Sequence, residues 1–265
     1  MDFNLHDLRE WKKKSDASVR LGVLGHPVAH SLSPQMMNAA LEECGLPHRY
    51  GRFLIKRDEL REAFDLMRAN DFVGFNLTLP HKIDALESLD YIDENAGAIG
   101  AVNTVAIRHG KLRGSNTDPT GFASAVQEAF ALDVRQLRVV ILGAGGAARA
   151  IAFACQQPRI WNRREQSLEE FREHISAADL IVNATPVGLR ADDPPFLTRA
   201  NFRSDQFLFD TIYEPSRTRL MSEAAAAGAD VANGLGMLLH QGAAAFELWF
   251  NRPAPIATMR AALQL

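Results

Sequence analysis

Residues Leu137 to Ala147 constrain this chain most. A run apolar enough to be buried on both faces (Leu137 to Leu142) passes through Gly143-Ala144-Gly145-Gly146 into a helix-forming stretch, Ala147 to Cys155. A strand without a polar face belongs in the middle of a parallel sheet covered by helices on both sides. The turn adds chemistry to architecture. Backbone N–H groups at a helix start carry partial positive charge, and glycine lets a diphosphate approach them, so Gly143, Gly145 and Gly146 can seat a dinucleotide. A tight turn without a ligand is the plain alternative.

The residues downstream select the dinucleotide. About twenty residues past such a turn, an NAD site places Asp or Glu at the end of its second strand to hold the ribose hydroxyl. This chain has a strand at Arg159 to Asn162 followed by Arg163 and Arg164. Two guanidiniums attract a 2'-phosphate and leave no carboxylate to repel it, which points to NADP. A solvated basic turn is the competing reading. Beyond it lie a helix around Leu168 to His174 and strands at Leu180 to Ala184, Phe207 to Asp210 and Asp230 to Ala232. Helices at Met237 to Phe250 and Ile256 to Leu263 close the chain.

The N-terminal half shows the same alternation. An amphipathic lead-in over residues 1–18, with Leu5, Leu8 and Trp11 at helical spacing, precedes a strand at Arg20 to Gly25. Ser33-Pro34 stands as a capping hydroxyl and first-turn proline before a helix over Gln35 to Cys44. Then come a strand at Phe53 to Ile55, a helix at Asp58 to Asn70 and a strand at Gly74 to Leu79 stopped by Pro80. A strand pair, Val102 to Ile107 and Lys111 to Gly114, turns at His109-Gly110, and Thr120 to Phe130 is helical. The expected layout is a mostly parallel α/β domain over residues 1–118, a second α/β domain over 119–237, and helices in 238–265 packing back on the first.

Within Asn76-Leu77-Thr78-Leu79-Pro80-His81-Lys82 a lysine follows a proline-ended strand, where it can exchange a proton with a substrate oxygen. Asp118 is its best partner, since it stands where the chain crosses into the second domain and can orient the ammonium. An isolated surface ion pair is the alternative. With the glycine turn, the pair suggests a nicotinamide dehydrogenase. Ser31 and Ser33 flank Leu32, so both hydroxyls can face one side of an extended stretch and suit a carboxylate or polyol. Helix capping by Ser33 is the competing role. Asn76, Thr78 and Asn103 add short neutral hydrogen-bonding groups at strand ends, apt for reading ring hydroxyls.

Composition excludes other classes. A formal net charge of -3 gives no field to gather nucleic acid, and the apolar run from Val139 to Cys155 is broken by Arg149, so no membrane span is expected. Cys44 and Cys155 lie far apart, His26, His30, His81 and His240 lack ligand spacing, and no metal site is expected. Charged N-terminal residues stand where an export signal needs an apolar core, so a cytoplasmic location is expected.

Taken in order, the segments Gly25 to Pro34, Asn76 to Lys82, Gly100 to Thr104, Asn116 to Asp118, Gly143 to Ala147, Asn162-Arg163, Asn183 to Gly188 and Gly234 to Leu238 with Gln241 closely resemble the shikimate dehydrogenase family. The resemblance implies NADP-dependent reduction of 3-dehydroshikimate to shikimate, on the route to chorismate and the aromatic amino acids, by a monomer or homodimer. It implies Lys82 and Asp118 as the catalytic pair. Ser31, Ser33, Thr78, Asn103, Asp118, Tyr213 and Gln241 would hold the substrate. A Rossmann-like domain would bind NADP through Gly143, Ala144, Gly145, Gly146 and Ala147 at the diphosphate, Asn162, Arg163 and Arg164 at the adenosine phosphate, and Thr211 and Gly234 near the nicotinamide. The short span from Asn162 to Asn183 implies a cofactor domain lacking one edge strand. A quinate/shikimate dehydrogenase using NAD or NADP shares nearly all these residues, and a non-catalytic sensor of shikimate or quinate would need no Lys82–Asp118 pair.

Overall fold

The computed structural model describes residues 2–13, 18–190, 192–193 and 196–265. The chain forms two compact units, residues 1–117 with 241–265 and residues 118–240.

In the first unit the elements are β1 (Asp2–Asn4), α1 (Leu5–Arg9), β2 (Val19–Gly25), α2 (Ser33–Glu43), β3 (Arg49–Leu54), α3 (Leu60–Ala69), β4 (Gly74–Leu77), α4 (His81–Asp84), β5 (Tyr91–Ile92), α5 (Glu94–Ile99), β6 (Thr104–Arg108) and β7 (Lys111–Ser115). They build a seven-stranded sheet in the order β1-β3-β2-β4-β6-β7-β5. The four strands from β1 to β4 run parallel, and β6 turns antiparallel to both β4 and β7. Arg108 pairs with Lys111 across a two-residue turn in which His109 and Gly110 both have positive φ (51° and 68°), the geometry that matches strand twist. Phe53, Phe64, Phe75 and Val105 fill the core. Of the expected helical lead-in, residues 1 and 14–17 lie outside the described residues. The rest divides into β1, which pairs with β3, the short helix α1 and a helical turn at Trp11–Lys13.

The second unit holds α6 (Asp118–Phe130), β8 (Val139–Leu142), α7 (Gly146–Ala154), β9 (Arg159–Trp161), α8 (Arg172–Ala177), β10 (Leu180–Asn183), β11 (Phe207–Asp210), α9 (Arg219–Ala226), β12 (Asp230–Ala232) and the start of α10 (Leu235–Phe250). The rest of α10 and α11 (Ile256–Ala262) belong to the first unit. The sheet of the second unit is parallel throughout, in the order β12-β11-β10-β8-β9. A full doubly wound sheet of this kind carries a further strand outside β9, and here the sheet ends at β9.

Strand alternation decides where each side chain goes. Val139, Ile141 and Val182 pack with Phe122, Val126, Ile151 and Met237, whereas Val140, Leu142 and Ile181 pack with Ile175, Leu220 and Met221. Each such side chain contributes about 1.5–3 kcal/mol by leaving water, so two covered faces hold this sheet. The helix expected at Leu168 to His174 forms later, as α8, because Ser167 instead closes a turn on the Glu170 carboxylate with both its N–H and its hydroxyl at 2.8 Å.

Candidate active site

In the first unit the polar groups gather where β2 and β4 end. Thr78 N–H donates to Leu24 O at 2.9 Å and His26 N–H to Leu79 O at 2.9 Å, binding the loops after the two strands together. A side chain at Gly25 would collide with the Thr78 methyl, so the glycine makes room for this threonine. Lys82 sits in the first turn of α4, half-buried, and its carbonyl accepts from Val102 N–H at 2.7 Å. The preceding His81 is fully buried, with Nε2 2.8 Å from Ile55 O, and burial holds its imidazole below the ordinary range. It packs, and it ties α4 to the end of β3.

Asn103 is the hub beside them. It is 1% exposed, and its Nδ2 donates to Thr117 Oγ1 at 2.9 Å and to Gln241 Oε1 at 3.4 Å. Its Oδ1 accepts Thr117 N–H at 2.8 Å and the Thr104 hydroxyl at 2.9 Å. Asn76 continues the network, accepting the Tyr50 hydroxyl at 2.7 Å and donating to Thr104 Oγ1 at 3.0 Å. Buried amides with every arm engaged hold one orientation.

Ser31 and Ser33 follow β2. The expected capping role of Ser33 is not what forms: α2 begins at Ser33 itself, with Leu32 at the cap position and no side-chain cap. Leu32 already has helical backbone angles (φ -85°, ψ -3°), which moves the start one residue forward. Ser33 N–H donates to Ser31 Oγ at 3.3 Å, linking the two serines.

The remaining groups lie in the second unit. Asp118, 3% exposed, opens α6, and Tyr213 follows β11, half-buried. Gly143 follows β8 with φ of 119°, and a Cβ there would stand 2.8 Å from Ala184 O. Gly145 caps α7 without any side-chain hydrogen bond, and a Cβ on it would meet nothing within 4 Å. Ala144 is exposed and Ala147 half-buried on either side. The first N–H groups of α7 are therefore uncapped by side chains and reached through open space, which fits a bound diphosphate.

Gly143 N–H donates to Trp161 O at 2.9 Å, setting the end of β9 beside this loop. Asn162 folds onto its own turn, donating to Glu165 at 2.7 Å and accepting Arg164 N–H at 3.2 Å. Arg163 and Arg164 are exposed, and neither guanidinium has an ion pair among the described residues, so both fit an added phosphate. Thr211 N–H and hydroxyl both donate to Asn183 O, at 3.0 and 2.9 Å. A side chain on Gly234 would strike the Thr211 carbonyl, so these two residues are adjacent.

A group without an assigned role in the sequence lies beneath them. Asp210, fully buried, accepts the Thr218 hydroxyl at 2.7 Å, Asn183 Nδ2 at 2.9 Å and Ile212 N–H at 3.1 Å. Burial pushes its carboxyl up to about 6 against those three bonds. Asn183 also gathers Thr185, whose hydroxyl donates to its Oδ1 at 2.7 Å. An aspartate ending an apolar strand was the available signal. No cluster of acidic, His and Cys side chains able to hold a metal occurs among the described residues, and no helix there is long and apolar enough to cross a membrane.

Comparison with known proteins points to one family. Residues 23–105 match the family model of the shikimate dehydrogenase substrate binding domain, and residues 234–264 that of the shikimate 5'-dehydrogenase C-terminal domain. A protein of Methanopyrus kandleri named shikimate dehydrogenase (NADP(+)) is 41% identical over 272 residues, covering 92% of this chain and 94% of its own. The crystal structure of shikimate 5-dehydrogenase from Thermus thermophilus with NADP(H) and shikimate superposes with a TM-score of 0.83 at 40% identity, over 93% of this chain and 98% of that one. A shikimate dehydrogenase solved with NADP+ gives 0.85 at 37% identity, over 93% and 95%. Likeness at this level over both chains, running through both units, means that the chain belongs to the shikimate dehydrogenase family.

Proposed function

We propose that the protein catalyses the NADP-dependent, reversible reduction of 3-dehydroshikimate to shikimate. The observation that carries this reading is the likeness, over nearly the whole chain, to a relative named shikimate dehydrogenase (NADP(+)). The α7 N-terminus behind Gly145, open and without a side-chain cap, supports the dinucleotide, and the exposed Arg163 and Arg164 support its 2'-phosphate.

Bound NADPH supplies the hydride. In this reading the Lys82 ammonium gives its proton to the substrate oxygen in reduction and recovers it in oxidation, while the Asp118 carboxylate orients the ammonium. Ser31 and Ser33 bind the carboxylate of the ring. Thr78, Asn103, Gln241 and Tyr213 take its hydroxyls, with Asn103 and Gln241 held ready by their mutual hydrogen bond. Gly143 to Ala147 would hold the diphosphate, Asn162 to Arg164 the adenosine phosphate, and Thr211 and Gly234 the nicotinamide end. Two free thiols, far apart in the sequence, suit a reducing compartment, the cytoplasm.

The test is nicotinamide absorbance with purified protein, shikimate or quinate, and NADP or NAD. Shikimate with NADP is the expected best pair. A clear preference for quinate with NAD would replace the substrate and cofactor, and no turnover with any pair would replace catalysis by binding alone.

A further inference from the structure

We propose that Arg52, on β3, is a positioning residue that holds Ser31 so that its hydroxyl can donate to the substrate carboxylate. The proposal rests on the reading of Ser31 as a carboxylate-binding residue.

The guanidinium grips Ser31 by its backbone. Nε of Arg52 donates to Ser31 O at 2.9 Å and Nη2 to the same oxygen at 2.7 Å. The remaining Nη1 pairs with Asp2 Oδ1 at 3.2 Å. Asp2 lies directly opposite Arg52 in the β1–β3 register, so the strand pairing itself aligns the carboxylate with the guanidinium. A planar fork fixed on one side by Asp2 and closed on one carbonyl by two N–H groups holds that carbonyl in direction as well as distance.

The consequence reaches the hydroxyl of the same residue, three bonds from the carbonyl carbon. Ser31 N–H donates to Val28 O at 3.1 Å, so the backbone of this residue is held on both sides, at its N–H and at its carbonyl. Ser33 N–H donates to Ser31 Oγ at 3.3 Å. With that lone pair engaged, the Ser31 O–H proton points elsewhere and is available to an anionic acceptor. Arg52 thus contributes to carboxylate recognition through a neutral serine, while its own charge stays turned toward Asp2 and the Ser31 carbonyl.

The test is a kinetic cycle on the full-length protein with Arg52→Ala, Arg52→Lys, Ser31→Ala and Arg52→Ala/Ser31→Ala. The expected result for Arg52→Ala is a rise of about tenfold in KM for shikimate, the loss of one charge-assisted contact, with kcat and KM for NADP within about twofold. Arg52→Lys should stay close to Arg52→Ala, because one ammonium cannot reproduce the fork. Since Arg52 acts through Ser31, the double variant should match Ser31→Ala alone. Unchanged KM in both Arg52 variants, or losses that add fully in the double variant, overturn the proposal and leave the reading of Ser31 standing. If Ser31→Ala itself leaves KM unchanged, that reading fails and the proposal with it. Should Arg52→Ala not fold, Arg52→Lys carries the same comparison.

Discussion

The side-chain amide of Asn183 donates to Oδ1 of Asp210 at 2.9 Å, joining the ends of β10 and β11 inside the second sheet. Burial raises the Asp210 carboxyl to about 6, above its value in an unfolded chain. A raised folded-state pKa means that the contribution to stability is full below the unfolded value and is lost as pH rises through about 6. Urea unfolding of the wild type and Asp210→Asn should therefore give a difference that changes between about pH 4 and 6, by no more than about 3 kcal/mol, and is flat above. A constant difference across that range would mean that Asp210 titrates as an ordinary carboxylate.

The two glycines of the β8–α7 turn should fail in different ways. Gly143→Ala meets both a positive φ and the Ala184 carbonyl, and should cost about 1–3 kcal/mol of stability. Gly145→Ala meets nothing, so the protein should unfold as the wild type does while NADPH titration shows affinity down about tenfold. Normal NADPH binding by a folded Gly145→Ala protein would remove this turn from the diphosphate site.

Gly74 lies under the indole of Trp249, whose Nε1–H donates to Val105 O at 3.0 Å. A methyl at residue 74 collides with both partners, and Trp249 is almost wholly buried with no room to retreat. Gly74→Ala should destabilise by about 2 kcal/mol or more, with a shift in tryptophan emission. Wild-type stability would show that α10 repacks freely here.

Lys82→Ala should lower kcat by about 100-fold or more and leave KM for shikimate within a few-fold, the pattern of a group acting on the proton in the transition state. Steady-state kinetics decide it. A large rise in KM at unchanged kcat would confine Lys82 to binding.

Arg163→Ala should raise KM for NADP about tenfold more than KM for NAD, since only NADP offers the 2'-phosphate that an exposed guanidinium can grip. Equal losses with the two cofactors would separate Arg163 from that phosphate.

Much of the second unit was legible in the sequence because its strands are apolar runs. Phe207 to Asp210 and Asp230 to Ala232 read with the bounds they have in the sheet, and the break at Gly143 fell where β8 ends. Local patterns hid other elements. β1 has three residues and exists through its pairing with β3, and α9 has no counterpart in the expected layout, although Thr218 caps it by accepting Met221 N–H at 3.2 Å. The capping role expected of Ser33 depended on where the helix starts, and the backbone of Leu32 settled that. The Asn183–Asp210–Thr218 and Asp2–Arg52–Ser31 chains join residues far apart in sequence, so no periodicity announces them.

Because α10 passes from the second unit into the first, residues 241–265, which finish the first unit, are made after the whole of the second. Trp249 packs near Tyr50, Gly242 admits the Met36 side chain, and the Gln35 amide donates to Ala262 O. On the ribosome, residues 1–117 must wait for these partners while 118–240 emerge as one uninterrupted block able to fold. The order of synthesis and the order of completion are thus reversed. A nascent chain halted at His240 would hold the whole second unit and an N-terminal half still missing its closing helices.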